Sequence, residues 1–69
     1  MRVSARNVLP ATVKMVTPGA VDSEIVMELA PGIEVVSIIT KASAERLGLK
    51  PGMKAYAIIK APNVMIGVD

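Results

Sequence analysis

Ile33-Glu34-Val35-Val36-Ser37-Ile38-Ile39-Thr40-Lys41-Ala42-Ser43-Ala44-Glu45-Arg46-Leu47-Gly48 changes character once, and where it changes decides the fold. Up to Thr40 the stretch is β-branched and aliphatic, which is strand composition. Val35 and Ile39 fall on one face and Val36 and Ile38 on the other, so both faces are apolar. A strand of that kind is covered on both sides. From Lys41 onward the residues are adequate helix formers. Thr40 or Ser43 can cap the start, and Gly48 suits the left-handed residue just past the end. The pattern predicts a strand over 33–40 and a helix of one or two turns over 41–47. So short a helix is unstable alone and must be held by packing.

Working outward, Pro18-Gly19, Pro31-Gly32 and Pro51-Gly52 punctuate the chain. Each fits a type II turn, with Pro fixing φ and Gly supplying a positive φ next to it. A first strand is expected over 7–17, with Leu9, Ala11, Val13 and Met15 on one face. Pro10 cannot donate to a ladder, so that strand is at an edge or bulged there. A hairpin through 17–20 leads to a second strand over 21–29, with Ile25, Met27 and Leu29 inward and Glu24 and Glu28 outward. A fourth strand over 53–60 sets Ala55, Ala57 and Ile59 against Tyr56 and Ile58. A last short strand, 64–68, closes the chain. The expected class is all-β: a five-stranded OB-like barrel with one short helix between strands three and four, in a single domain spanning 1–69.

Composition narrows the chemistry. Sixty-nine residues with no Cys, His, Trp or Phe leave no disulfide, and no Zn site of the usual ligands. A chain this small buries only about 60% of its unfolded surface, and 52% of its residues are hydrophobic, so self-association is expected. The net charge of +2 comes from eight scattered cations with no basic run, and no segment approaches 18 apolar residues. No membrane span is expected. Met1-Arg2 leads into Val-Ser-Ala-Arg without an apolar leader core, so the cytoplasm is the expected setting. Ser4, Ser23, Ser37 and Ser43 have no base to activate them, and no carboxylate pair with split environments is suggested. The chain reads as a binding protein, not an enzyme, with no cofactor and no metal cation.

What remains is equipment for holding an anion. A tetrahedral oxyanion presents acceptors, and charge-assisted hydrogen bonds to it are the strong ones. Arg6, Lys60, the hydroxyls of Ser4 and Thr40, and nearby backbone N–H groups are suitable donors. The plain alternative is that isolated cations of this sort are solvated surface charges.

The motifs taken together resemble the molbindin (Mop) family of small molybdate- and tungstate-binding, TOBE-type domains. They are Ser4-Ala5-Arg6-Asn7, Ser37-Ile38-Ile39-Thr40, Ala44-Glu45-Arg46-Leu47-Gly48-Leu49, Pro51-Gly52 and Lys60-Ala61-Pro62-Asn63-Val64-Met65-Ile66-Gly67. The resemblance covers nearly the whole chain. It implies an OB-like barrel, a homohexamer arranged as a trimer of dimers, and molybdate or tungstate held as the oxyanion where subunits meet. It assigns oxyanion binding to Ser4, Arg6, Thr40 and Lys60, and to the residue after that lysine. Here that residue is Ala61, so only its backbone N–H is available where other members add a serine hydroxyl. It also implies a second class of site near the three-fold axis, which these residues do not locate.

Two other readings belong to different classes. An OB module that binds nucleic acid uses aromatic stacking platforms, and Tyr56 is the only aromatic residue here. A purely structural or regulatory assembly domain would carry the same fold with an idle anion site.

Overall fold

Thr40 is where strand becomes helix, as its capping chemistry requires. In the computed structural model, which describes residues 1–69, β3 spans Ile33–Thr40 and α1 spans Lys41–Leu47. Thr40 keeps an extended backbone (φ −66°, ψ 149°) while its Oγ1 accepts the Ser43 N–H at 3.1 Å. Gly48 ends the helix at φ 64°, ψ 35°, its N–H returning to the carbonyls of Ala44 and Glu45. Both boundaries agree with the sequence expectation.

β1 (Asn7–Pro18) is the spine of the sheet, with β2 (Asp22–Ala30) and β4 (Lys54–Ile59) antiparallel to it. The order is β3-β2-β1-β4. The two partners of β1 scarcely overlap. β4 pairs from Asn7↔Ile59 to Thr12↔Lys54, and β2 pairs from Thr12↔Glu28 to Pro18↔Ser23. At Pro10 the strand therefore has a neighbour on one side only, so a residue without an N–H is tolerated there.

A bulge between Val13 and Met15 revises the expected face pattern. The extra residue, Lys14, reverses the alternation. Ala11 and Val13 are buried as expected, but Met15 turns outward and Val16, opposite Ile25, takes the inward place. The bulge also releases Lys14 to bridge Glu28 (3.3 Å) and Glu34 (3.0 Å). Those two glutamates sit directly opposite each other on β2 and β3, a repulsive pair that the ammonium relieves. Its hydrogen bonds to Glu34 and Glu28 raise the Lys14 pKa above the ordinary lysine value.

The turns divide into two kinds. Gly32 and Gly52 have positive φ (80° and 89°), as the Pro-Gly pairs predict. Gly19 does not. Its N–H bonds the Asp22 carbonyl at 2.8 Å, and a Cβ there would stand 2.7 Å from that same oxygen. Glycine is needed in this hairpin for space, not for handedness.

The core is small: Ala11, Val13, Ile25, Met27, Ala44 and Ala57, with Leu9, Val16, Leu29, Val35, Ile39, Leu49 and Ala55 packed around it. The outward apolar residues of the edge strands, Val36 and Ile38 on β3 and Tyr56 and Ile58 on β4, are exposed. One expectation fails. Residues 64–68 form no strand; the chain leaves β4 through a single 3₁₀ turn, Ala61–Asn63, and its last apolar residues stand in solvent. The fold is all-β with one short helix between the third and fourth strands, but it has four strands, not five. A sheet needs a neighbour to supply ladder bonds, and in one copy of this chain residues 64–68 have none. No helix is long and apolar enough to cross a membrane.

Candidate functional site

The β1–β4 ladder ends at Asn7↔Ile59, and the next residues outward on the two strands are Arg6 and Lys60. Two cations fifty-four positions apart in sequence thus adjoin the same end of the ladder. Antiparallel pairing does this by topology: the start of β1 and the end of β4 meet at Asn7↔Ile59, and each is one residue from a cation. The Asn7 side chain fastens the junction, its Nδ2 donating to the Ile59 carbonyl at 3.1 Å.

Both side chains are exposed, and neither has a carboxylate partner. Of the eight cations in the chain only Lys14 is ion-paired. Two cations without carboxylate partners at one end of the β1–β4 ladder make that end of the sheet locally positive, available to an anion. Ser4 lies just beyond, two residues before Arg6, and is exposed.

Ala61 opens the 3₁₀ turn directly after Lys60. In that turn Asn63 N–H bonds the Lys60 carbonyl (2.9 Å) and Val64 N–H bonds the Ala61 carbonyl (3.3 Å). The amide of Ala61 precedes the first bond of the turn and so has no turn carbonyl to meet. Pro62 has no N–H at all. Ala61 therefore keeps a backbone donor directly after Lys60 in the chain.

Thr40 is elsewhere. It pairs with Asp22 at the far end of β3, beside the Pro18↔Ser23 end of β1. Eleven residues of β1 separate that end from Asn7, roughly 36 Å of extended strand. Ser4, Arg6, Lys60 and Ala61 lie within three residues in sequence of the Asn7↔Ile59 end of the ladder, whereas Thr40 lies at the far end of β3. Thr40 Oγ1 is also engaged: it accepts from Ser43 N–H and donates to Ser43 Oγ at 2.8 Å. To serve an anion its hydrogen must turn away from Ser43 while the cap is kept.

The residue that sequence reading undervalued is Asn7. An amide at the first position of a strand signals a side chain free to bond across to the neighbouring strand end, and here it ties the start of β1 to the end of β4. No cluster of three or more Asp and Glu residues could hold a metal ion.

Residues 3–66 match the TOBE domain family. Molybdenum-pterin-binding protein 3 of Clostridium pasteurianum is 47% identical over 66 residues, covering 96% of this chain and 97% of that one. Molybdenum-pterin-binding protein MopA of Rhodobacter capsulatus is 46% identical over 66 residues, and this chain spans about a quarter of its length (96% and 25% covered). Among solved structures, the cytoplasmic molybdate-binding protein ModG, with molybdate bound, superposes with a TM-score of 0.92 at 49% identity, over 100% of this chain and 49% of that one.

Proposed function

The chain belongs to the TOBE domain family, and from that premise we propose that it binds molybdate as the intact oxyanion, where copies of the chain meet. The observation that carries the reading is the ladder end Asn7↔Ile59, from which Arg6 and Lys60 both lead, with no carboxylate to neutralise either. Similarity to proteins that bind molybdenum-pterin and to one solved with molybdate supports it.

Moving a divalent anion out of water is costly unless countercharge and hydrogen bonds replace its hydration shell. Arg6 supplies a planar fork for two oxyanion oxygens, and Lys60 a compact charge for a third. The Ser4 hydroxyl and the Ala61 amide complete the donors from one copy. Thr40, placed at the other end of its own chain, comes from a neighbouring copy, so the site is complete only in an assembly. We read that assembly as a homohexamer, a trimer of dimers, acting as a cytoplasmic store for molybdate or for the closely similar tungstate. Empty, each site leaves two cations in repulsion; filled, it ties copies together, so ligand and assembly stabilise one another.

Equilibrium dialysis against molybdate tests this. Wild-type protein takes up the oxyanion in stoichiometric amounts, and Arg6→Ala and Lys60→Ala each lose it. Uptake that survives both substitutions places the ligand elsewhere and sinks the reading.

A further inference from the structure

We propose that the cavity between α1 and the start of β2 binds a short-chain monocarboxylate, at a place separate from the oxyanion site and independent of that reading.

Ser23 is the residue that points to a ligand. It extends the inward stripe of β2, two residues before the buried Ile25. It is 2% exposed, the one polar residue among the buried ones, and its hydroxyl makes no hydrogen bond within the chain. A hydroxyl withdrawn from water without a partner is destabilising, and native cores rarely keep one. This hydroxyl is not sealed in, because no enclosed side-chain polar atom lacks a partner. It opens on the cavity of about 370 Å³ that Ser23 lines. One water, with a share of liquid volume of about 30 Å³, does not fill such a space.

Alternation along the strands keeps this cavity apart from Thr40. Across the β2–β3 ladder Asp22 pairs with Thr40 and Ser23 with Ile39. Successive residues point to opposite faces. The exposed pair Asp22 and Thr40 therefore shares the outer face, and buried Ser23 and half-buried Ile39 share the inner one.

The lining selects the ligand. Half-buried Val16 and Leu49 and buried Ala44 give an aliphatic wall, and exposed Lys41, Glu45 and Lys50 complete it toward solvent. Neither lysine is ion-paired, with Glu45 or with any other carboxylate. Two ammonium groups against one carboxylate leave the lining one charge positive, which matches a monoanion. A dianion would leave negative charge uncompensated near Glu45 in a partly apolar space. The Lys50 N–H also makes no backbone hydrogen bond, whereas the carbonyls of Ala44 and Glu45 are taken by the N–H groups of Leu49 and Gly48. Donors are left over there while those acceptors are spent. A carboxylate accepts from the Ser23 hydroxyl and the lysines, in bonds strengthened by charge, and a short aliphatic body rests against Val16 and Leu49.

The test is an amide-resolved NMR titration of the assembled protein with sodium propionate, with sodium sulfate as the control at matched ionic strength. Saturable shifts at Ser23, Ala44 and Leu49 are expected with propionate and absent with sulfate. Ser23→Ala removes only the unpartnered hydroxyl, and Lys50→Met changes an exposed side chain, so both fold. Each weakens propionate binding about 10-fold or more, the loss of one hydrogen bond to a charged group. The absence of a saturable shift, which leaves the cavity to water, overturns the proposal. So does an equal response to sulfate, a response centred on the neighbours of Arg6 and Lys60, or an affinity that either variant leaves unchanged. Molybdate titrated into the same samples reads the other site, so the two assignments stand or fall separately.

Discussion

Lys60→Met separates the anion site from the fold, because it acts on the two with opposite sign. The substitution keeps an unbranched apolar stem of similar length and removes an ammonium from the ladder end that also carries Arg6. Lys60 is exposed, has no carboxylate partner and lies outside the β4 ladder, so no native interaction of the unliganded chain is lost. One source of repulsion is relieved, and the melting midpoint without ligand stays level or rises. Ligand binding moves the other way. A hydrogen bond to a charged group contributes about 1.5–3 kcal/mol, and at about 1.4 kcal/mol per decade its loss weakens molybdate binding about 10- to 150-fold. Isothermal titration calorimetry on the assembled protein reads the affinity, and calorimetric melts with and without molybdate read the stability. The ligand-induced rise in midpoint, present in wild type, shrinks accordingly. A dissociation constant within twofold of wild type, or a clearly lower midpoint in the unliganded variant, refutes the role given to this residue.

Three further outcomes are expected. Gly19→Ala drives a Cβ to 2.7 Å from the Asp22 carbonyl and costs about 1–3 kcal/mol, whereas Gly32→Ala meets no atom but is held at φ 80°, costing about 1–2 kcal/mol. Urea unfolding of the pair checks both values, and a neutral Gly19→Ala contradicts the hairpin geometry. Thr40→Ala loses the cap on α1 and about 1 kcal/mol of stability, while Thr40→Asp keeps a capping oxygen and a midpoint near wild type but sets a negative charge where an anion is to bind. Molybdate uptake by Thr40→Asp equal to wild type removes Thr40 from the site. The Lys14 pKa is raised by Glu34 and Glu28, so its contribution is whole below the ordinary lysine value and is lost as pH climbs through the raised one. Lys14→Gln flattens that alkaline segment of the stability profile, and an unchanged profile disproves the bridge.

Some of this structure is written plainly in the residues and some is not. The limits of β3 and α1 are legible because Thr40 and Gly48 are chemically committed to their positions, one by a side-chain oxygen and the other by the lack of a side chain. The bulge at Lys14 leaves no mark, since a strand gaining one residue looks no different in composition, and alternation alone points Met15 inward where the structure turns it out. Residues 64–68 do read as a strand, and that propensity says a partner is wanted without saying which chain provides it. The site divides in the same way. The need for Arg6 and Lys60 to converge follows from charge, but the means is the register Asn7↔Ile59, which only pairing reveals. The remoteness of Thr40 from that end is a property of topology and has no local signature.

The handover of β1 from β4 to β2 at Thr12 has a dynamic consequence. Two short ladders share one backbone and meet at little more than one residue, so each can open without unzipping the other. The half bearing Arg6 and Lys60 hangs on a single pair of strands, while the half bearing α1 has three strands and the helix to hold it. Amide protons of Val8 and Ile58 will therefore exchange with deuterium sooner than those of Ile25 and Val26. The charged end of the sheet is its breathing end, and whatever docks there quiets it.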